Sequence, residues 1–195
     1  MRTILRLRYF LYLSVLFVSC TTGKNALQKG DYDAAVVKGV DRLRSAPQNK
    51  EAMGVLPAAF DLAIKTHLRK IDETKLSADA LKWETILYHY QRINQLSDDV
   101  NACPSCLSLV PNPPKYISQY EDARYQAAEA RYLLGERALR ENNRQSAKIA
   151  YNHFLKAESL YPSLTGIKDK IADAYWAAVL KVVVQPAIIN SNTYK

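Results

Sequence analysis

The sequence predicts an all-α protein, six or seven helices in antiparallel pairs stacked as an α-solenoid. Three observations carry this expectation. Apolar residues recur at spacings of three and four along most of the chain, the period of an amphipathic helix. One stretch, from about residue 116 to 139, carries two such stripes, and a helix apolar on two faces must lie between neighbours. Finally, two separated segments each carry small residues along an amphipathic stretch that a proline ends, the kind of pattern internal repeats leave. Composition agrees: the 195 residues are 48% hydrophobic and 24% charged, enough apolar material for a core and too much for a disordered chain.

The amino terminus stands apart from the helical body. Arg2, Arg6 and Arg8 precede Tyr9 to Val18, ten uncharged and mostly apolar residues. A membrane-spanning helix needs about 20 apolar residues, whereas a signal-peptide core needs about 7–15. Ser19 and Cys20 follow. A small residue directly before a cysteine, at the end of such a core, resembles the lipobox of bacterial lipoproteins. Phe17 stands where that family favours leucine, a departure that keeps a bulky apolar side chain. The resemblance implies a signal peptide over 1–19, removed by cleavage, and acylation of Cys20, which anchors the chain in a lipid bilayer through two or more acyl chains. A lipidated cysteine and short tether then occupy 20–25. Five residues reach at most about 17 Å, so the folded part is expected close to the membrane. Thr21 is not the aspartate that retains Gram-negative lipoproteins in the inner membrane. The resemblance therefore implies the bacterial cell envelope, at the periplasmic face of the outer membrane.

The helical domain is expected over 26–180. Gly30-Asp31-Tyr32 forms a turn, Ala35 is small enough for two helices to approach, and Pro47 ends the helix twelve residues later. In the second segment, Leu134 and Gly135 are followed by Ala147, Ala150, Phe154, Ala157 and Pro162. Both segments resemble the tetratricopeptide repeat. The second differs from it by a three-residue shift, close to one helical turn, and so implies a lengthened second helix. Together they cover about a third of the mature chain. The doubly apolar helix before this repeat joins Tyr116, Tyr120, Ala123, Ala127, Ala130, Leu134 and Ala138 on one stripe. Tyr125, Ala128, Tyr132, Gly135 and Leu139 form the other. Pro113 and Pro114 mark its start, and Asn142 and Asn143 its end. Its tyrosines read as core packing, with a ligand groove as the alternative.

Three further helices complete the expectation. One runs from about Glu51 to Ile71 with Phe60, Leu62, Ile64, Leu68 and Ile71 inward, kinked or restarted at Pro57. The next runs from about Ala78 to Leu96, capped by Ser77 and burying Trp83, Ile86, Leu87, Tyr90 and Ile93. The last spans about Ile167 to Val179. Residues 181–195 open with a β-branched run that reads as a short β segment. It is an extended tail, a continuation of the last helix, or the start of a further domain.

Little in the chain suggests catalysis. Cys103 and Cys106 form a CxxC without the strand before it that the thioredoxin family has. In an oxidising compartment a local disulfide is the favoured reading; free thiols, or redox or metal use, are the alternatives. His67, His89 and His153 are far apart in sequence and in no metal-ligand spacing. Neighbouring carboxylates such as Asp98-Asp99 and Glu121-Asp122 diverge on a helix and read as a solvated face. No phosphate-binding glycine loop, zinc-protease histidine pair or nucleophile elbow is present. The expectation is a non-enzyme with no cofactor and no metal.

Net charge is +8; setting aside Arg2, Arg6 and Arg8 leaves 24 basic residues against 19 acidic. A surplus that small, spread along helices, does not mark a nucleic-acid-binding protein. The expected function is therefore an envelope-anchored helical-repeat scaffold that binds a protein partner. An accessory role in outer-membrane protein assembly, or glycan or nutrient capture, is the alternative.

Overall fold

The computed structural model describes residues 23–180, 182 and 184. The expected signal peptide, Cys20 and most of the 181–195 segment lie outside the described residues. Among the described residues the structure is all-helical, with no strand; Val182 and Val184 belong to no regular element. There are eight helices among them: α1 (Lys24–Gln28), α2 (Tyr32–Ser45), α3 (Lys50–Lys75), α4 (Lys82–Asn101), α5 (Pro104–Leu107), α6 (Ile117–Arg140), α7 (Arg144–Leu160) and α8 (Ile167–Ala178). Six have twelve or more residues, and α1 and α5 are short additions. Sequence neighbours pack in pairs, notably α2 with α3, α3 with α4, and α7 with α8. Connections of a few residues between packed helices require the chain to reverse, so the pairs are antiparallel.

The chain divides into two compact units, up to Ala123 and from Arg124 onward. The helical stretch expected over 26–180 runs through both units. The boundary falls inside α6, where no change of periodicity marks it. The folded part also begins earlier than residue 26. Gly23 is the left-handed N-cap of α1, with φ +88°, and lies against the backbone of Ala35. Lys24 and Asn25, expected in the tether, are helical.

In the first unit the core runs along α2, α3 and α4. Val36, Val40 and Leu43 of α2, Leu56, Phe60, Ile64 and Ile71 of α3, and Ile86, Ile93 and Leu96 of α4 are all buried, and the three helices pack on one another. Asp31 caps α2 by accepting from Ala34 N, and Asn49 caps α3 by accepting from Ala52 N. Helix α3 continues through Pro57 rather than restarting there. Proline removes only one ladder bond, and the fully buried Leu56 and Ala59 hold the helix on either side. Leu62 and Leu68 are not in the buried set; Ala63 and His67 take the inward positions instead.

Helix α4 starts four residues later than expected. Ser77 does not cap it: Ser77 Oγ accepts from Asp79 N, and Asp79 Oδ1 accepts from Leu81 N, so this segment winds into side-chain turns. Trp83 is only half-buried. Helix α6 likewise starts after Pro113 and Pro114. That segment is held extended against α4, where Ser97 Oγ donates to Pro114 O at 2.6 Å and Tyr116 N donates to Asn94 Oδ1 at 2.7 Å.

The second unit is built on Phe154, which is fully buried among Ala138, Ala150, Ala157, Ile167 and Ala174. Tyr132 packs edge-on against its ring, with centroids 5.5 Å apart. Asn143 caps α7 by accepting from Ser146 N. Helix α7 ends at Leu160, just before Pro162.

Candidate functional site

The residues singled out as repeat positions fall into structural roles. Gly30 takes φ +77° in the turn before α2, Tyr32 opens that helix, Ala35 is fully buried, and Pro47 lies just past its end. In the second unit, Ala147, Ala150, Phe154 and Ala157 are buried on α7. Gly135 lies so close to Phe154 that a Cβ there would stand 2.6 Å from the ring. Leu134 is only half-buried, and Pro162 is exposed. The turn before α7 has no glycine. Asn142 adopts φ +48° there, five residues before Ala147, as Gly30 stands five residues before Ala35. Asparagine tolerates the left-handed region better than most residues; that tolerance was the overlooked signal.

Cys103 and Cys106 are joined by a disulfide. Both are buried, and Cys103 is the N-cap of α5. Between them Ser105 Oγ donates to Leu43 O at the end of α2, 62 residues away, at 3.3 Å. The bridged turn thus fastens the loop after α4 to the first helical pair.

Two histidines that are far apart in sequence, His67 and His89, come together in space. His67 on α3 and His89 on α4 have their Nδ1 atoms 2.8 Å apart. Behind them, His67 Nε2 lies 2.9 Å from Asp33 Oδ1 on α2. The other Asp33 oxygen, Oδ2, accepts from Arg92 Nε at 2.9 Å and pairs with Arg92 Nη2 at 2.8 Å. Three helices of the first unit therefore meet in one Arg–Asp–His–His chain. His67 is 7% exposed, and His89 is half-buried with the Tyr88 ring edge-on to it.

With both rings neutral, the chain of contacts assigns the ring protons. A carboxylate only accepts, so neutral His67 carries its proton on Nε2 and donates to Asp33. Its Nδ1 is then an acceptor, and His89 Nδ1–H donates to it. The His89 Nε2 lone pair is left over. Burial pushes the Asp33 carboxyl up, but its hydrogen bonds and charge pairing with His67 and Arg92 outweigh this and hold it below the usual carboxylate range. Burial, then the nearby His67 and Lys70, push His89 below the usual imidazole value, against the pull of Asp33. No group of three or more metal-ligating side chains converges among the described residues. The two ring contacts are of hydrogen-bond length, so the cluster's side chains can pass protons between them. Its sequence signal was His67 itself, which continues the buried series Phe60, Ile64, Ile71 at helical spacing.

Three open grooves accompany these features. In the first unit, Pro57, Phe60 and Ile64 face the loop from Leu109 to Pro114 across a mainly apolar groove of about 330 Å³. A second, of about 440 Å³, has mostly polar residues in its walls, among them Asp98, Asp99 and Glu121; Asp98 pairs with Lys115 and Asp99 with Arg44.

The third groove belongs to the second unit. Tyr125, Tyr132, Leu133, Tyr161 and Leu164 line about 430 Å³, with Glu129, Ser163 and Thr165 as polar members. Tyr125 and Tyr161 meet edge to face at 5.3 Å, with the Arg124 guanidinium 5.8 Å from the Tyr161 ring centre. Leu133 is 58% exposed and Tyr125 39%. The tyrosines of the second stripe thus serve both readings, Tyr132 touching the core and Tyr125 facing the groove.

No family model, no curated protein and no solved structure matches this chain.

Proposed function

We propose that the protein is a lipid-anchored helical scaffold of the bacterial cell envelope that binds a segment of a partner protein. The tyrosine-lined groove of the second unit carries this reading. Tyrosine offers a large, stiff, amphipathic surface whose ordering costs little entropy, and it is enriched where proteins bind one another. Leu133 and Leu164 add an apolar floor, while Glu129, Ser163 and Thr165 can pair with a partner's backbone. The tetratricopeptide-like order of small residues on α7, and a fold made of helical pairs, support a scaffold rather than a catalytic role. The anchor rests on the lipobox-like sequence ending at Cys20. Only Thr21 and Thr22 separate Cys20 from Gly23, where packing begins, so the first unit would ride at the membrane surface.

A photo-crosslinking residue placed at Leu133 tests this in intact cells. The expected result is a discrete protein adduct that is lost on Tyr125→Ala. Labelled palmitate should enter the chain and be lost on Cys20→Ser. A correctly anchored protein that gives no discrete adduct from Leu133 would refute the partner groove. An adduct dependent on glycan addition would favour capture of carbohydrate over protein. Failure of palmitate labelling would refute the anchor alone.

A further inference from the structure

We propose that His67 and His89 form a proton-operated clasp that holds α2, α3 and α4 together near neutral pH and parts when both imidazoles are charged. The geometry of the Nδ1···Nδ1 contact leads to it. At 2.8 Å the two nitrogens can share one proton, never two. With both rings neutral, His89 donates and His67 accepts. One added proton leaves the contact intact, because one Nδ1 lone pair survives to accept. A second proton places two N–H groups head to head, and the rings must separate.

The surroundings bias this equilibrium and deny the rings an easy alternative. From α2, Asp33 faces His67, and the same carboxylate is shared with Arg92 of α4. From α3, Lys70 adds positive charge near His89. From α4, Tyr88 lies edge-on to His89. Lys70 itself pairs with Glu73, while the Asp33 carboxylate is shared between His67 and Arg92. Because Arg92 already balances Asp33, a first imidazolium leaves the Asp33–Arg92–His67–His89 cluster with one net positive charge, and a second would double it. His67 is nearly sealed from water, so parting requires the helices themselves to give.

The sign of the stability effect follows. Below about pH 6.5 an unfolded chain protonates both histidines, whereas the closed clasp accepts no more than one proton. The unfolded state then binds one more proton, so stability is lost as the pH is lowered. The unfolding constant of the first unit should rise towards tenfold per pH unit lost below about 6.5, until the clasp opens in the folded protein.

The test uses the full chain under oxidising conditions. Long-range nitrogen–proton spectra of its histidines at pH 7.5 should show His67 protonated on Nε2 and His89 on Nδ1, and urea titrations at pH 7.5, 6 and 5 should show the steep loss. His89→Gln keeps a donor towards His67 Nδ1 but cannot take a proton. It should retain most of the stability at pH 7.5 and lose most of the acid dependence. Two histidines titrating independently near pH 6.5, or His89 protonated on Nε2 at pH 7.5, would overturn the clasp. The spectra of the unmodified chain decide the matter even if the variant folds poorly.

Discussion

Gly135→Ala is the sharpest probe of the second unit. Gly135 is buried in α6, and a methyl group there would stand 2.6, 2.8 and 2.9 Å from three ring atoms of Phe154. Carbon atoms in contact prefer about 3.5–4.0 Å, so the ring must retreat by about 1 Å. It has nowhere to go, being fully buried among Ala138, Ala150, Ala157 and Ile167. Overpacking of this kind costs about 1–3 kcal/mol. Alanine returns up to about 1 kcal/mol as a better helix former than glycine. A net loss of about 1–2 kcal/mol is expected, read as a lower urea midpoint with an unchanged slope, followed through Trp176 of the same unit. Gly54 supplies the control: it is exposed on α3, and a methyl group added there would meet nothing within 4 Å, so Gly54→Ala should stabilise by about 0.5–1 kcal/mol. Phe154→Leu removes part of the ring and should suppress the penalty of Gly135→Ala in a double-mutant cycle. If Gly135→Ala stabilised the protein as much as Gly54→Ala does, the close approach of α6 and α7 would be refuted.

Two other variants test the first unit. Gly23→Ala forces a side chain into φ +88° and 2.5 Å from the carbonyl oxygen of Ala35, which should cost at least about 2 kcal/mol; amide exchange in α1 should accelerate, and unchanged protection would show that Gly23 does not pack on α2. Cys103→Ser with Cys106→Ser closes no covalent loop and, because the loop is short, should lose only on the order of 1–2 kcal/mol; equal urea midpoints for the variant and the oxidised chain would remove the staple from the account.

Helices were legible where packing follows spacing. Small residues at fixed intervals marked Ala35, Ala147, Ala150 and Ala157 as crossing points, and all four are buried. Phe154 and Gly135 were each visible as repeat positions. What spacing could not show was that one supplies the ring and the other the space for it. Boundaries were less legible because side chains competed for the backbone. Ser77 and Asp79 form turns where a cap was expected, and Asn94 and Ser97 hold the chain at Pro114 and Tyr116 in extended form. The division at Ala123 left no mark because an unbroken helix crosses it.

The histidine cluster escaped the sequence for a different reason. Metal ligands and catalytic pairs are sought at short spacings on one element, whereas Asp33, His67 and His89 lie on three consecutive helices, 34 and 22 residues apart. Antiparallel helical pairs bring such residues together when each lies at a similar height on its helix, and the first unit does this with α2, α3 and α4. A buried histidine on an apolar stripe is therefore a query about its neighbours two helix lengths away. His67 needs an acceptor for Nε2–H and a donor for Nδ1, and an aliphatic core offers neither. The fold answers with Asp33 on one side and His89 on the other. Because Asp33 must then also be satisfied, Arg92 completes the set one turn beyond His89. The apolar pattern that builds the helical pairs thus admits one polar residue. The partners it requires, one after another, make a proton-sensitive contact inside what is otherwise a packing interface.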